Sequence, residues 1–327
     1  MNGSTLRSWL VSVSMVATVV ACGGGGTGLT AASPSPLANA VADPTAGSSA
    51  AATPAPPTAS AAPTASPVSA KTSLKAYFLH HGNVDGPTPL VPVSREVEGT
   101  VAVARAAMGH LLAGPTDAER AHDLRVGTIG TRIPEGTRLL ALDIADGIAT
   151  VNLSSEFASG VDTGEAREGW AYRLAQVTYT LTQFPTIESV RFLVEGQPGI
   201  AIEGHEGTPI ELATRAAYLD QLPAIFIDEP AWGGALTDRL VVSGLAQLVE
   251  QAPKFEAALA ARSSDEILAR QTVRAGCTTG CWQPPGGGAF EFEMAVPGGT
   301  DHGDLILMVW VESADGGQSH AMAYPVH

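Results

Sequence analysis

Apolar, β-favouring residues fill 74–79 (Leu74, Tyr77, Phe78, Leu79). They recur at 90–93 (Leu90, Val91, Val93) after a loop of Gly, Pro, Asn and Asp, which predicts two strands. The period then changes. Thr100 is placed to cap a helix running to Ala113, with Val101, Ala104, Met108, Leu111 and Leu112 at helical spacing and Gly114 and Pro115 as its stop. Residues 138–153 predict a hairpin: Leu140, Leu142 and Ile144 alternate, Asp146 and Gly147 turn, and Ile148, Thr150 and Asn152 alternate against Ala149, Val151 and Leu153. A longer helix is predicted over 165–183. Its Trp170, Leu174, Val177 and Leu181 share one face, the pattern of a core stripe. Residues 189–195 read as a closing strand.

After a connector at 205–222 the pattern becomes short strands divided by Gly and Pro, at 225–227, 240–242, 255–257, 290–294 and 305–311. Such spacing is typical of a two-sheet sandwich. The expected fold class is therefore mixed α+β, with an α/β domain over 73–204, the connector 205–222, and an all-β sandwich over 223–327. About 255 residues lie beyond position 72, enough for two cores.

Particular runs carry a family resemblance. Residues 178–185 (Thr178 to Pro185) and 190–196 (Val190 to Gly196) resemble the closing helix and strand of the GerMN domain, named for sporulation and spore-germination proteins. Tyr77, Phe78 and Leu79, the run 90–96, the run 111–115 and the run 133–137 fit the same pattern. The resemblance implies a compact α/β fold with two helices against a mixed sheet. The domain is also similar to ring-building modules of envelope secretion complexes, which implies protein contacts. This chain has a longer insertion at 115–131, with Arg120, His122 and Arg125; a specific contact loop is one reading, and a neutral surface excursion is the expectation. The C-terminal region resembles the immunoglobulin-like domain that accompanies GerMN in spore-germination-type proteins, on Glu229 and Pro230 with Gly233, the run 240–244, Phe255, Phe290 and Phe292, and the run 312–316.

The N-terminus adds a location. Arg7 precedes an uncharged apolar run from Trp9 to Ala21, too short for a transmembrane helix of about 20 residues and suited to a signal peptide over 1–22. Cys22 follows Val19, Val20 and Ala21, which matches the bacterial lipobox, so Cys22 is the expected lipidation site; ordinary secretory cleavage is the alternative. Residues 23–72 are a linker of Gly, Ala, Ser, Thr and Pro. Up to residue 70 it holds eight prolines and one charge, Asp43, and cannot bury enough apolar surface to fold. Proline stiffening gives it a maximal reach on the order of 100 Å.

The chain carries a formal charge of −15, and loss of the leader removes one Arg and no acid, giving −16. With three lysines (Lys71, Lys75, Lys254) and no basic cluster, nucleic acid is not an expected partner. The remaining cysteines, Cys277 and Cys281, read as a local disulfide in an exported chain, with free thiols or a metal as alternatives.

Candidate chemistry is sparse. His80 and His81 lie beside Asp85, but neighbouring strand residues point to opposite faces, which works against one site. Asp143 and Asp146 fit a hairpin turn better than a calcium loop. His205 and Glu206 lack the second histidine of a zinc helix. Asp228 and Glu229 are expected to be exposed. No catalytic residue, metal or cofactor is assigned, and the chain is not expected to be an enzyme. The expected function is a lipid-anchored, extracytoplasmic scaffold on the bacterial cell membrane. Its partners are unidentified envelope proteins or further copies of itself. A wall-associated hydrolase, or the direct activator of one, is the alternative.

Overall fold

β1 (Lys71–His81) is the strand about which the first half is built. Residues 76–80 are buried on both faces, and β1 pairs antiparallel with β2 (Leu90–Glu98), setting Tyr77 opposite Pro92. The computed structural model describes residues 71–82, 88–100, 102–160, 166–198, 212–236, 239–247, 254–264, 266–276, 288–301, 303, 305–313 and 316–327. All of them fall in one compact unit. The expected leader and most of the linker, including Cys22, lie outside the described residues, as do Cys277, Cys281, Asp85, His205 and Glu206.

Helix α1 (Val103–Ala113) begins two residues later than the pattern predicts. Its N-cap is Ala102, and Thr100 instead accepts the Ala102 N–H at 3.1 Å. The insertion is not a neutral excursion. Thr116 and Glu119 form a reciprocal capping box on the short helix α2 (Asp117–Arg120), and β3 (Thr128–Gly130) adds to β1 at Leu79–His81. Glu119 also takes a two-pronged ion pair from Arg95 on β2, at 2.6 and 2.8 Å.

β4 (Leu139–Ala145) and β5 (Ile148–Leu153) form the predicted hairpin. Its turn residues Asp146 and Gly147 have φ of 51° and 76°, the left-handed pair a two-residue hairpin turn needs. A 3-10 turn (Ser155–Ala158) buries Phe157 against Trp170. Helix α3 (Ala166–Leu181) then crosses to β6 (Ser189–Val194), parallel to β5, and β7 (Gln197–Pro198) follows. The expected single mixed sheet is thus two sheets, β2-β1-β3 and β4-β5-β6-β7, with the parallel pair in the second.

α3 does more than pack an apolar stripe. Gln176 and Thr180 on α3, and Gln183 in the turn just after it, stand at i, i+4 and i+7, on the edge of β1 that β3 leaves open. Gln183 accepts the Lys75 N–H at 2.8 Å and donates to the Lys75 carbonyl at 2.7 Å. Thr180 accepts the Tyr77 N–H at 3.0 Å, and Gln176 donates to the Tyr77 carbonyl at 3.0 Å. Helix side chains take the place of a neighbouring strand. Gln176 and Thr180 are fully buried, and a buried backbone group must find such a partner.

The second half is all β. β8 (Ile225–Glu229), β9 (Arg239–Ala246) and β12 (Gly288–Ala295) form one antiparallel sheet in the order β12-β9-β8. The other sheet, β11-β10-β13-β14, uses β10 (Lys254–Ala261), β11 (Ile267–Arg274), β13 (Leu305–Glu312) and β14 (Gln318–Val326). The sheets meet where the Phe255 and Phe290 rings approach edge-on at 4.9 Å. Gly244 is required in the middle of β9, because a Cβ there would fall 1.9 Å from the Phe226 carbonyl oxygen. β11 and β14 were not among the expected strands.

The Thr180 contact is directly testable. Thr180→Val keeps shape but strands the buried Tyr77 N–H, and should lower the unfolding free energy by about 1–3 kcal/mol. Chemical denaturation would read this as a lower midpoint at unchanged slope. An unchanged midpoint would show that α3 does not hold β1 in this way.

Candidate functional site at the junction of the two halves

Among the described residues, a set of ionisable groups converges where β1 meets β8. Asp228 sits at a register shift in β8 between Ile227 and Glu229, and its carboxylate accepts from the Tyr77 hydroxyl at 2.6 Å. Lys75, two residues before Tyr77 and on the same face of β1, lies 3.2 Å from the Asp228 carboxylate and 2.6 Å from Glu229, and donates to the Asp228 carbonyl at 3.1 Å. Arg215 reaches in from a 3-10 turn (Arg215–Gln221). It donates to the Tyr77 hydroxyl at 3.2 Å and to Thr182 at 3.0 Å, and lies over the Tyr179 ring at 4.7 Å. The sequence pattern places Asp228 and Glu229 at an exposed entry. Asp228 is instead half-buried among two cations and a phenol, because β8 packs against the first half.

Burial alone would push the Asp228 carboxyl up, but Lys75, Arg215 and the Tyr77 hydroxyl outweigh it and hold the group below the usual carboxylate range. Burial, reinforced by the Asp228 charge, pushes the Tyr77 phenol well up, and burial pushes Tyr179 up to about 12. Both phenols therefore stay protonated and act as donors. Tyr179 gives its hydroxyl to the Arg215 carbonyl at 3.2 Å. Part of the expected connector is likewise packed: Ala213 is buried and exchanges backbone bonds of 2.9 and 2.8 Å with Val190 on β6.

A backbone strap runs beside this cluster. Trp232 donates to Pro92 at 2.8 Å and accepts from Ser94 at 2.9 Å, while Gly233 donates to Pro325 at 2.9 Å. Residues 232–234 therefore tie the outer edge of β2 to the outer edge of β14. The Trp232 ring fills the gap between them, 5.3 Å from the His80 ring and 6.1 Å from Tyr324. The insertion makes a third bridge. Asp123, which organises its own turn by accepting the N–H groups of Arg125 and Val126, also pairs with Arg262 of the second half. That contact, with the two backbone bonds, holds the Asp123 carboxyl down at about 2.

His80 and His81 separate as strand geometry requires. The His81 ring lies against Gly130, outside the core. His80 is buried, and its Nε2 is 2.6 Å from the Val126 carbonyl, which can only accept, so Nε2 carries the proton. Its Nδ1 has no hydrogen-bond partner, and burial lowers the pKa, so the ring is neutral at neutral pH. A half-enclosed cavity of about 150 Å³ adjoins it, between Val126 of the insertion and Met308, Trp310 and Met322 of the second half. Asp143 and Asp146 lie in the hairpin. Among the described residues no group of three His, Cys, Asp or Glu side chains could hold a metal, and no helix is long and apolar enough to cross a membrane. The arrangement joins two bodies, and its charges are spent on one another.

Asp228→Asn removes the charge that Lys75 and Arg215 face, and should destabilise the protein by about 1–3 kcal/mol at pH 7. Because the folded-state pKa of Asp228 is depressed, its stabilisation is complete above the unfolded carboxylate value and is lost as pH falls through the folded value. The stability gap between wild type and Asp228→Asn should therefore narrow below a pH of about 4. Urea midpoints measured from pH 7 downward would contradict this if the gap stayed constant or widened.

No curated protein matches the chain. Among solved structures, it is similar to the tandem GerMN domains of the sporulation protein GerM from Bacillus subtilis, at 20% identity and a TM-score of 0.33. That match covers 47% of this chain and 49% of the other, so the chain spans about half the length of that structure. It is also similar to the first GerMN domain of the same protein, at 23% identity and a TM-score of 0.33, over 44% of this chain and 98% of that one. Residues 75–199, which run from β1 past β7, match the model of the family described as Germane: Sporulation and spore germination. The chain is thus a GerMN-containing protein, with its sporulation and spore germination family domain in the first half of the described fold.

Proposed function

We propose that this chain is a lipid-anchored, extracytoplasmic scaffold of the cell envelope that works by binding other proteins and not by turning over a substrate. One observation carries the reading. Lys75, Tyr77, Arg215, Asp228 and Glu229, an ionisable cluster of the described residues, are all engaged in joining the two halves. Acid–base or nucleophilic chemistry needs a group held in reach of a substrate with its reactivity unspent. A rigid two-part body with a consumed polar cluster suits presentation of surfaces at fixed spacing.

The second half supports the same reading. Counted from β8, its first, second and fifth strands share one sheet, and its fourth, third, sixth and seventh share the other. That sorting is compatible with an immunoglobulin-like module, a fold used widely at cell surfaces. The leader, Cys22 and the proline-rich linker supply the anchor and the reach. The acidic charge favours a protein partner over anionic wall polymer.

Two measurements bear on this proposal. Mass spectrometry of the mature N-terminus should find a lipidated Cys22, and Cys22→Ala should abolish both lipid and membrane retention; an unmodified Cys22 in the wild type would remove the anchor. In-cell crosslinking should recover discrete envelope proteins with the full chain. Cleavage of peptidoglycan by the purified protein, removed by a single His or Asp substitution, would instead establish the hydrolase reading.

A further inference from the structure

His80 is buried at a three-way seam, and no carboxylate answers it. Its side chain is 3% exposed, at the end of β1 where the insertion, the strap and the second half converge. The insertion supplies the Val126 carbonyl, which accepts the Nε2–H at 2.6 Å, and the strap supplies the Trp232 ring at 5.3 Å. The second half supplies Met308, Trp310 and Met322 across the cavity of about 150 Å³. Nδ1 is enclosed and has no hydrogen-bond partner among the described residues. The arrangement suits only the neutral ring, because a second N–H would point at no acceptor.

The surrounding charges work in the same direction. From β1, His81 gains positive charge as pH falls, and from the insertion Arg125 lines the cavity. Asp123 of the insertion is already paired with Arg262. The cavity walls from β13 and β14 carry no ionisable side chain among the described residues. The Tyr324 phenol, across the Trp232 ring, stays protonated because burial pushes it up. Burial lowers the His80 pKa; the Val126 carbonyl offsets part of that, and His81 adds to it. The folded state therefore takes up this proton less readily than an opened one. A seam held by neutral His80 is at full strength above the ordinary histidine value of about 6.5, and weakens as pH falls below it.

We propose that a proton on His80 opens the seam between the insertion and the second half, making the ring an acid-sensitive latch. The half-enclosed cavity beside the ring admits water to the charged imidazole once its walls part. The opening is local. The Asp123 carboxyl stays ionised down to about 2, and Asp228 is held below the usual carboxylate range, so both charged contacts persist through the histidine window. The halves stay joined while the seam loosens. The latch requires neither the lipid anchor nor a partner, and it can fail without touching either.

Hydrogen exchange of the full chain reads the latch, measured at about pH 7.5 and about pH 5 and corrected for the chemical exchange rate. Segment 123–129 should exchange about tenfold faster at the lower pH, while the hairpin at 139–153 keeps its protection. His80→Gln keeps an N–H in reach of the Val126 carbonyl but cannot charge, and should cut the response to less than about twofold. His81→Gln, on the opposite face of β1, should leave it at about tenfold. The latch is overturned by a wild-type segment that ignores pH, by an equal change in the hairpin, or by an undiminished response in folded His80→Gln. Loss of the response in His81→Gln would overturn it as well, by placing the proton on the neighbouring ring. Ring NMR of the wild type gives a second reading that needs no variant. A His80 titration centred below about 6.5 supports the proposal, and one centred above it contradicts the proposal.

Discussion

The backbone of β1 between Lys75 and Tyr77 imposes the constraint on which the rest of this structure depends. β2 satisfies one edge of that segment, and no strand reaches the other. Each of the four polar groups left there would cost about 1–3 kcal/mol if buried without a partner. Gln176 and Thr180 from α3, and Gln183 from the turn that closes it, supply the partners. Their 3.6-residue period carries them one above another along the helix, where they bond to the groups of two alternate strand residues. The match fixes where α3 lies along β1, and α3 in turn spans the crossover from β5 to β6.

The same two residues carry the contact to the second half. Lys75 and Tyr77 point their side chains at Asp228 while side chains of α3 and its closing turn hold their backbones. The phenol-to-carboxylate bond of 2.6 Å is of the charge-assisted kind, and Lys75 and Arg215 keep the acceptor ionised. Around it, the strap at 232–234 adds backbone bonds to both sheet edges, and the insertion adds the Asp123–Arg262 pair. The three contacts lie far apart in sequence and differ in chemistry.

Much of the first half was legible because its elements are strongly periodic. The hairpin could be read from alternation with Asp146 and Gly147, α3 from its apolar stripe, and the GerMN resemblance from runs spread over most of the domain. The polar stripe of α3 was hidden because Gln, Thr and Gln at i, i+4 and i+7 look like a solvated face; only the open edge of β1 gives them a buried use. Asp228 was misplaced for a related reason, since an acid before Glu229 and Pro230 reads as a loop entry until β8 is known to pack on β1. The capping box at Thr116 and Glu119 was available as a signal that the insertion is structured. β11 was missed because its apolar positions, Ile267, Leu268 and Val273, do not alternate cleanly, and β14 because it is rich in small and polar residues and contains Pro325. The junction itself was beyond reach, since it joins positions about 150 apart.

The coupling between Tyr77 and Asp228 is the most direct measure of whether the halves act as one body. A double-mutant cycle of Tyr77→Phe and Asp228→Asn, followed by equilibrium unfolding at neutral pH, isolates that pair from the rest of the network. The phenol–carboxylate bond should give a coupling of about 1.5–3 kcal/mol, as expected for a hydrogen bond to a charged group. Additive effects of the two substitutions, with a coupling near zero, would mean that the two halves are held together by other means and that β1 is not the point at which they join.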